Sequence, residues 1–138
     1  MLDRARQVLA EQPFSVLLGT ELVAFGEGAA ELRIPITPQL KQQHGFVHGG
    51  VVSYAVDNAL TFAGGTTLGP GVVTSEFKIN YVRPAMGDVL IARARVVHTG
   101  SSQAVCRCDV FASKGGIERL CATAQGTIVK LAERPSGC

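Results

Sequence analysis

The sequence predicts an α+β domain in which about five to six antiparallel strands wrap around one long apolar helix. Three observations carry that prediction. The glycine-rich turn HGFVHGG runs into a stretch that holds no further glycine or proline before Gly64 and is apolar on nearly every side. That pattern reads as a helix from roughly Val47 to Ala63, and a helix without a broad polar face is buried. Downstream, apolar and polar residues alternate in consecutive stretches separated by short turns, which favours antiparallel hairpins. The chain has 138 residues, enough for a real core within one domain over 1–138, its core at about 21–131.

The elements follow in order. Leu2, Ala5, Val8 and Leu9 make a short amphipathic helix over Leu2 to Glu11, stopped before Pro13. Glu21 to Ile36 reads as a half-buried strand, with Ala30, Leu32 and Ile34 alternating against Glu31, Arg33 and Pro35. Thr37 to Gln43 is the loop into the central helix, and Gly64 to Gly71, carrying Pro70, is a turn after it. Val73, Ser75, Phe77, Ile79 and Tyr81 then alternate with Thr74, Glu76, Lys78 and Asn80. Further strands run through Leu90 to Val96, Ala104 to Val110 and about Glu118 to Leu131, and Glu133 to Cys138 reads as a frayed tail.

Composition narrows the classes of function. Hydrophobic residues at 46% and charged ones at 17% give more apolar surface than a monomer of this size needs, which points to an oligomer. A net charge of +2 with no Lys/Arg run argues against nucleic acid. No stretch of eighteen apolar residues and no signal peptide are present, so a cytoplasmic protein away from membranes is expected. Cys106, Cys108, Cys121 and Cys138 form no CxxC pair and are expected to stay reduced.

Within the apolar helix, Ser53, Asp57 and Thr61 recur every four residues and form one narrow polar stripe. A carboxylate in a buried helix costs several kcal/mol unless something partners it. The stripe is therefore a satisfied structural network or a site.

Three features carry a family resemblance: the HGG at His48, Gly49 and Gly50, Asp57 nine residues after that histidine, and NYVRPAMGD from Asn80 to Asp88. Together with the helix-in-sheet architecture they resemble the hotdog fold, specifically the PaaI-like acyl-CoA thioesterases, over about Glu21 to Lys130. The resemblance implies hydrolysis of an acyl- or aryl-CoA to free acid and CoA, with no cofactor and no metal. It implies Asp57 as nucleophile or general base, and the Gly49 N–H of the partner subunit as oxyanion donor in a homodimer or homotetramer. PaaI-like enzymes usually carry Asn six residues before the HGG histidine; here that position is Gln42. A related branch acting on 4-hydroxybenzoyl-CoA uses Gln there, Glu at the position of Asp57 and Thr four residues later, which Thr61 matches. Thr74 matches a position where relatives carry a hydroxyl, with Ser75 as the register-shifted alternative. The resemblance places His48 and Gly50 beside the substrate, with His48 read as a cap rather than a chemical group, and Arg83, with Lys78, Arg107 and Lys114, is available for the coenzyme phosphates. Phe62, Tyr54 and Val51 are expected beside the acyl group.

Elementary geometry leads to the same pair of groups. The N–H groups of Gly49 and Gly50 sit at a helix start, where orphan donors and the dipole favour an oxyanion. Asp57 lies eight residues on, roughly 12 Å away along one helix. Two helices packed antiparallel about a two-fold axis bring each helix start to the middle of the other. Three alternatives stand beside this reading: an acyl-CoA-binding protein without catalysis, a hotdog dehydratase or hydratase, and a resemblance of fold alone without acyl chemistry. A metal held by His44, His48 and Asp57 would need a helical loop, which Gly45 opposes.

Overall fold

The computed structural model describes residues 1–132, so the tail from Glu133 lies outside the described residues. Its frame is a six-stranded, fully antiparallel sheet built from β1 (Glu21–Gly26), β2 (Ala29–Pro35), β3 (Val72–Tyr81), β4 (Val89–Thr99), β5 (Gln103–Lys114) and β6 (Ile117–Lys130). The strand order is β1-β2-β4-β5-β6-β3, which leaves β3 at one edge. Two short helices, α1 (Leu2–Ala10) and α2 (Pro13–Leu18), precede the sheet, and α3 (Gly49–Leu68) packs across it. Val56, Ala59, Leu60 and Ala63 of α3 are fully buried against Leu32, Ile34, Leu90, Val110 and Ile128, each at most 1% exposed. The sheet wraps around one helix, as in the hotdog fold.

Four element boundaries differ from the sequence reading. The helix expected at Val47–Ala63 starts at Gly49, because Val47 still pairs with Lys41 as an isolated bridge. At its other end it runs straight through Gly64 and Gly65 to Leu68, where a turn is expected. Gly64 serves packing: a Cβ there would stand 2.8 Å from the Ile128 side chain, so only glycine lets the helix approach β6 this closely. Thr66 and Thr67 hold this last stretch by donating to Ala63 O at 2.7 Å and Gly64 O at 3.2 Å.

The single strand expected over Glu21 to Ile36 is a hairpin. The chain reverses at Gly26, Glu27 and Gly28, whose φ values are 141°, 54° and 78°, so β1 folds back onto β2. At the N-terminus, Pro13 ends one helix and starts another: it occupies the first turn of α2, where its missing N–H costs nothing. Gly19, with φ 72°, closes that helix in the left-handed region.

Strand β3 carries a bulge. Thr74 pairs with Ile128 while Glu76 pairs with Thr127, leaving Ser75 as the extra residue. The bulge shifts the alternation, so Val72 and Thr74 share the inward side with Phe77 and Ile79, and Ser75 is exposed. The simple alternation of Val73 and Ser75 with Phe77 does not hold.

Candidate active site

Asp57 sits midway along α3, half-buried on the polar stripe. Its Oδ1 accepts a hydrogen bond from Thr74 Oγ1 at 2.6 Å, across from helix to edge strand. Thr61, one turn on, meets the Thr74 hydroxyl at 2.8 Å and reaches the Asp57 main-chain oxygen at 2.8 Å. Each hydroxyl carries one proton. Thr74 commits its proton to the carboxylate, so its oxygen is left as an acceptor, and the single Thr61 proton is shared between that oxygen and the Asp57 main-chain oxygen. Three residues singled out in the sequence thus form one connected group, and Oδ2 of Asp57 takes no hydrogen-bond partner among the described residues. Ser53 does not join it, and Ser75 points to the other side of the strand.

The second group lies at the start of α3. His48 is the N-cap, and its Nδ1 accepts the Gly50 N–H at 2.8 Å. That bond separates the roles of the two glycines. The Gly50 donor is consumed, and a Cβ there would press within 3.0 Å of the His48 ring, so this glycine is set by the cap. The Gly49 N–H takes no partner among the described residues. Its carbonyl accepts from the Tyr81 hydroxyl at 3.0 Å, which ties the helix start to the end of β3.

Gln42 stands in the loop before the helix, and its side-chain oxygen accepts the His44 N–H. The carbonyl end of this amide is therefore occupied by its own loop, and the NH2 end is free to donate. Gln42 and Gly49 share a hollow of about 340 Å³ with Phe46, Tyr81 and Arg83. It joins, through Phe46, Arg83 and Pro84, a groove of about 430 Å³ that adds Lys114 and Arg119. These three cations form no ion pair among the described residues, whereas Arg93 on the same sheet is saturated by Glu31 and Glu118, both at 2.7 Å. Lys78 and Arg107, equally available in sequence, do not line the groove, and Arg119 was invisible to sequence because only the β5–β6 register puts it beside Lys114.

A third hollow, about 510 Å³, opens beside Thr61 and Phe62 on the Asp57 side. It runs beneath α1, bordered by Phe25 and Val72. Phe62 belongs to it as expected; Tyr54 instead enters a polar network with Ser15 and Thr20, and Val51 does not line it. His44 donates its main-chain N–H to Gln42, and no group of three or more His, Cys, Asp or Glu among the described residues is placed to hold a metal. No helix among the described residues is long and apolar enough to cross a membrane.

Comparison with known proteins adds to this geometry. The family model described as the thioesterase superfamily matches residues 44–118, which span the HGG cap, all of α3 and the strands through β5. A protein of Saccharolobus solfataricus, SSO1253, assigned by name to the esterases, is 31% identical over 137 residues, covering 98% of this chain and 89% of its own. Acyl-coenzyme A thioesterase PaaI of Escherichia coli is 33% identical over 89 residues, covering 64% of this chain and 63% of its own. Among solved structures, a thioesterase family protein from Silicibacter pomeroyi superposes with a TM-score of 0.88 at 35% identity, covering 95% of this chain and 98% of that one. The helix wrapped by the sheet, the matched segment and these relatives agree: the chain belongs to the thioesterase superfamily, as a PaaI-like hotdog protein, and it is a thioester hydrolase.

Proposed function

We propose that the protein hydrolyses acyl-CoA thioesters at two equivalent sites shared across a homodimer. The observation that carries this reading is the division of donors at the start of α3: His48 absorbs the Gly50 N–H and leaves that of Gly49 free. A free main-chain donor at the positive end of a helix suits a developing oxyanion. The oriented carboxylate lies eight residues along the same helix, roughly 12 Å away, too far to serve the same carbonyl in one chain. A two-fold pairing of α3 with its copy resolves that distance. The ten-residue edge strand β3, unpaired on its outer side among the described residues, supports pairing with a second copy, and that dimer is read as pairing again into a tetramer.

In this reading the thioester carbonyl oxygen rests on the Gly49 N–H of one subunit, supported by the Gln42 amide. Asp57 of the other subunit either takes a proton from water, whose oxygen attacks the carbonyl carbon, or attacks directly to give an anhydride that water then opens. The C–S bond breaks, the thiolate takes up a proton, and the acid leaves. Thr74 holds the carboxylate and Thr61 holds Thr74. His48 and Gly50 shape the cap, and Ser75 on the outer face of β3 takes no part in the chemistry. The coenzyme's pantetheine arm passes the Gln42–Gly49 hollow, and its phosphates meet Arg83, Lys114 and Arg119.

The test combines activity with geometry. A screen of acyl-CoAs of graded length, with phenylacetyl-CoA and benzoyl-CoA, identifies a working substrate. Asp57→Asn should then lower turnover about 10²- to 10⁴-fold with the fold intact. Gly49→Pro deletes the donor N–H. In a mixed dimer of the two variants one site inherits both lesions and the other neither, so activity returns to about half per dimer. A folded mixed dimer without recovery refutes the shared site, and light scattering showing a folded monomer at micromolar concentration does so as well.

A further inference from the structure

The hollow beneath α1 contains a polar device that the hydrolysis of a plain acyl chain does not need. Its walls are apolar apart from Thr61 at the end next to Asp57, Arg4, and Gln12. Gln12 belongs at the same time to a partly buried polar network between the N-terminal helices and α3. Ser15 Oγ donates to Gln12 Oε1 at 2.6 Å, and the Tyr54 hydroxyl donates to Ser15 Oγ at 2.5 Å. The Thr20 and Tyr54 hydroxyls stand 2.8 Å apart, and Asn58 Nδ2 reaches Gln12 Oε1 at 3.2 Å. Ser15 is 1% exposed, so the bonds it makes are shielded from water.

The protons in this network have a direction. Each hydroxyl has one proton to give. Tyr54 gives its proton to Ser15, so Thr20 must donate to Tyr54, and Ser15 donates to Gln12. Ser15 Oγ and Asn58 Nδ2 both meet the Gln12 carbonyl oxygen, and Asn58 Nδ2 also stands 3.1 Å from the Tyr54 hydroxyl and 3.3 Å from Ser15 Oγ. The NH2 end of the amide is thereby turned away from the network, and it takes no partner among the described residues. The network holds a hydrogen-bond donor at the wall of an otherwise apolar hollow.

We propose that this hollow selects acyl groups carrying an oxygen acceptor, a hydroxyl or keto oxygen, part-way along the chain, and that the Gln12 side-chain N–H holds that oxygen. The proposal rests on the acyl-CoA reading above. Asn58, which touches Gln12, follows Asp57 directly and precedes Thr61 by three residues, a spacing that puts side chains about 5–6 Å apart. The acceptor therefore belongs a few bonds beyond the thioester carbon. Arg4 lines the hollow from the first turn of α1, whereas Gln12 lines it from the cap of α2. A plain chain leaves the Gln12 donor stripped of water with nothing in exchange, which disfavours it.

The test uses octanoyl-CoA and a ladder of octanoyl-CoAs bearing a single keto oxygen, an acceptor with no proton to give, at successive carbons. For the wild-type protein one rung should exceed octanoyl-CoA by about tenfold in kcat/KM, the ratio a single well-made hydrogen bond supplies. Gln12→Glu keeps an acceptor oxygen for Ser15 and Asn58 but replaces the outward NH2 by oxygen. Its keto-to-plain ratio should fall to about one or below, because a carboxylate offers a keto oxygen no proton, whereas a merely structural role for Gln12 would lower both substrates alike and leave the ratio unmoved. Gln12→Met, which removes the whole amide, should also bring the ratio to about one. A flat ladder with the wild-type protein, or a preference that survives in Gln12→Glu, overturns the proposal. If the wild-type protein hydrolyses neither octanoyl-CoA nor any CoA thioester of the wider screen, it is the acyl-CoA reading that fails, and this proposal with it.

Discussion

Replacing Thr74 by Val removes one hydroxyl and keeps the shape of the side chain, and the structure says what should follow. The bond lost is the 2.6 Å donation from Thr74 Oγ1 to Asp57 Oδ1. Hydrogen bonds to charged groups contribute about 1.5–3 kcal/mol, and each 1.4 kcal/mol is a factor of ten. With the carboxylate no longer held from β3, kcat for an acyl-CoA should fall about 10- to 150-fold, with KM little changed. Thr61→Val is the internal control. Its hydroxyl meets the Thr74 oxygen and the Asp57 main chain, both neutral, so the loss should be roughly two- to tenfold. Thr74→Ser retains the donor and should recover most of the activity. The assay is release of free CoA thiol, followed with each variant's melting temperature. A Thr74→Val protein within twofold of wild type, or a Thr61→Val defect larger than that of Thr74→Val, would refute the view that β3 aims the carboxylate.

Three further expectations can be checked independently. Gly64→Ala drives a methyl to 2.8 Å from Ile128 and should destabilise the fold by about 1–3 kcal/mol, lowering Tm by several degrees in calorimetry. Burial pushes the Cys106 and Cys121 thiols up to about 11, so in a Cys138→Ser variant, which removes the tail thiol, the native protein should hardly react with a thiol reagent at pH 8 until denaturant is added. Because the folded state holds these protons more tightly than the unfolded chain does, their contribution to stability is complete below pH 9 and is lost as pH rises from about 9 to 11, visible as a falling denaturant midpoint. Arg83→Glu and Arg119→Glu should each raise KM for an acyl-CoA several-fold and flatten its salt dependence, with kcat nearly unchanged; equal KM at low and high salt in wild type would remove the phosphate role of that groove.

The parts of this molecule that sequence reveals are those with a period or a short spacing. The buried helix with its Ser53–Asp57–Thr61 stripe, the HGG cap and the alternating strands follow from local pattern, and the structure joins Asp57 to Thr61 and Thr74. What stayed hidden depends on partners far along the chain. Gly64 reads as a helix breaker until Ile128 is seen against it. The choice between Thr74 and Ser75 turns on one inserted residue, which alternation alone cannot show. Pro13 reads as a stop because the same residue type that ends α1 also begins α2. Gln12 and Arg119 carry no local signal; only the docking of α2 on α3 and the register of β5 on β6 place them.

The strand order has a consequence for how the protein is made. Strand β3 pairs with β6, so residues 72–81 wait for residues 122–130 before they find a partner. While the chain emerges from the ribosome, α3 and its carboxylate are complete long before the strand that holds Thr74 in place. The hydrogen bond between Asp57 and Thr74 therefore depends on a strand made near the end of synthesis, and until β6 arrives β3 has no partner within the chain to hold it over α3. Pairings this far apart in sequence close slowly and leave surface open to aggregation while they do. Shortening the chain into β6 would leave every residue of the Asp57 group present in the polypeptide and none of it assembled.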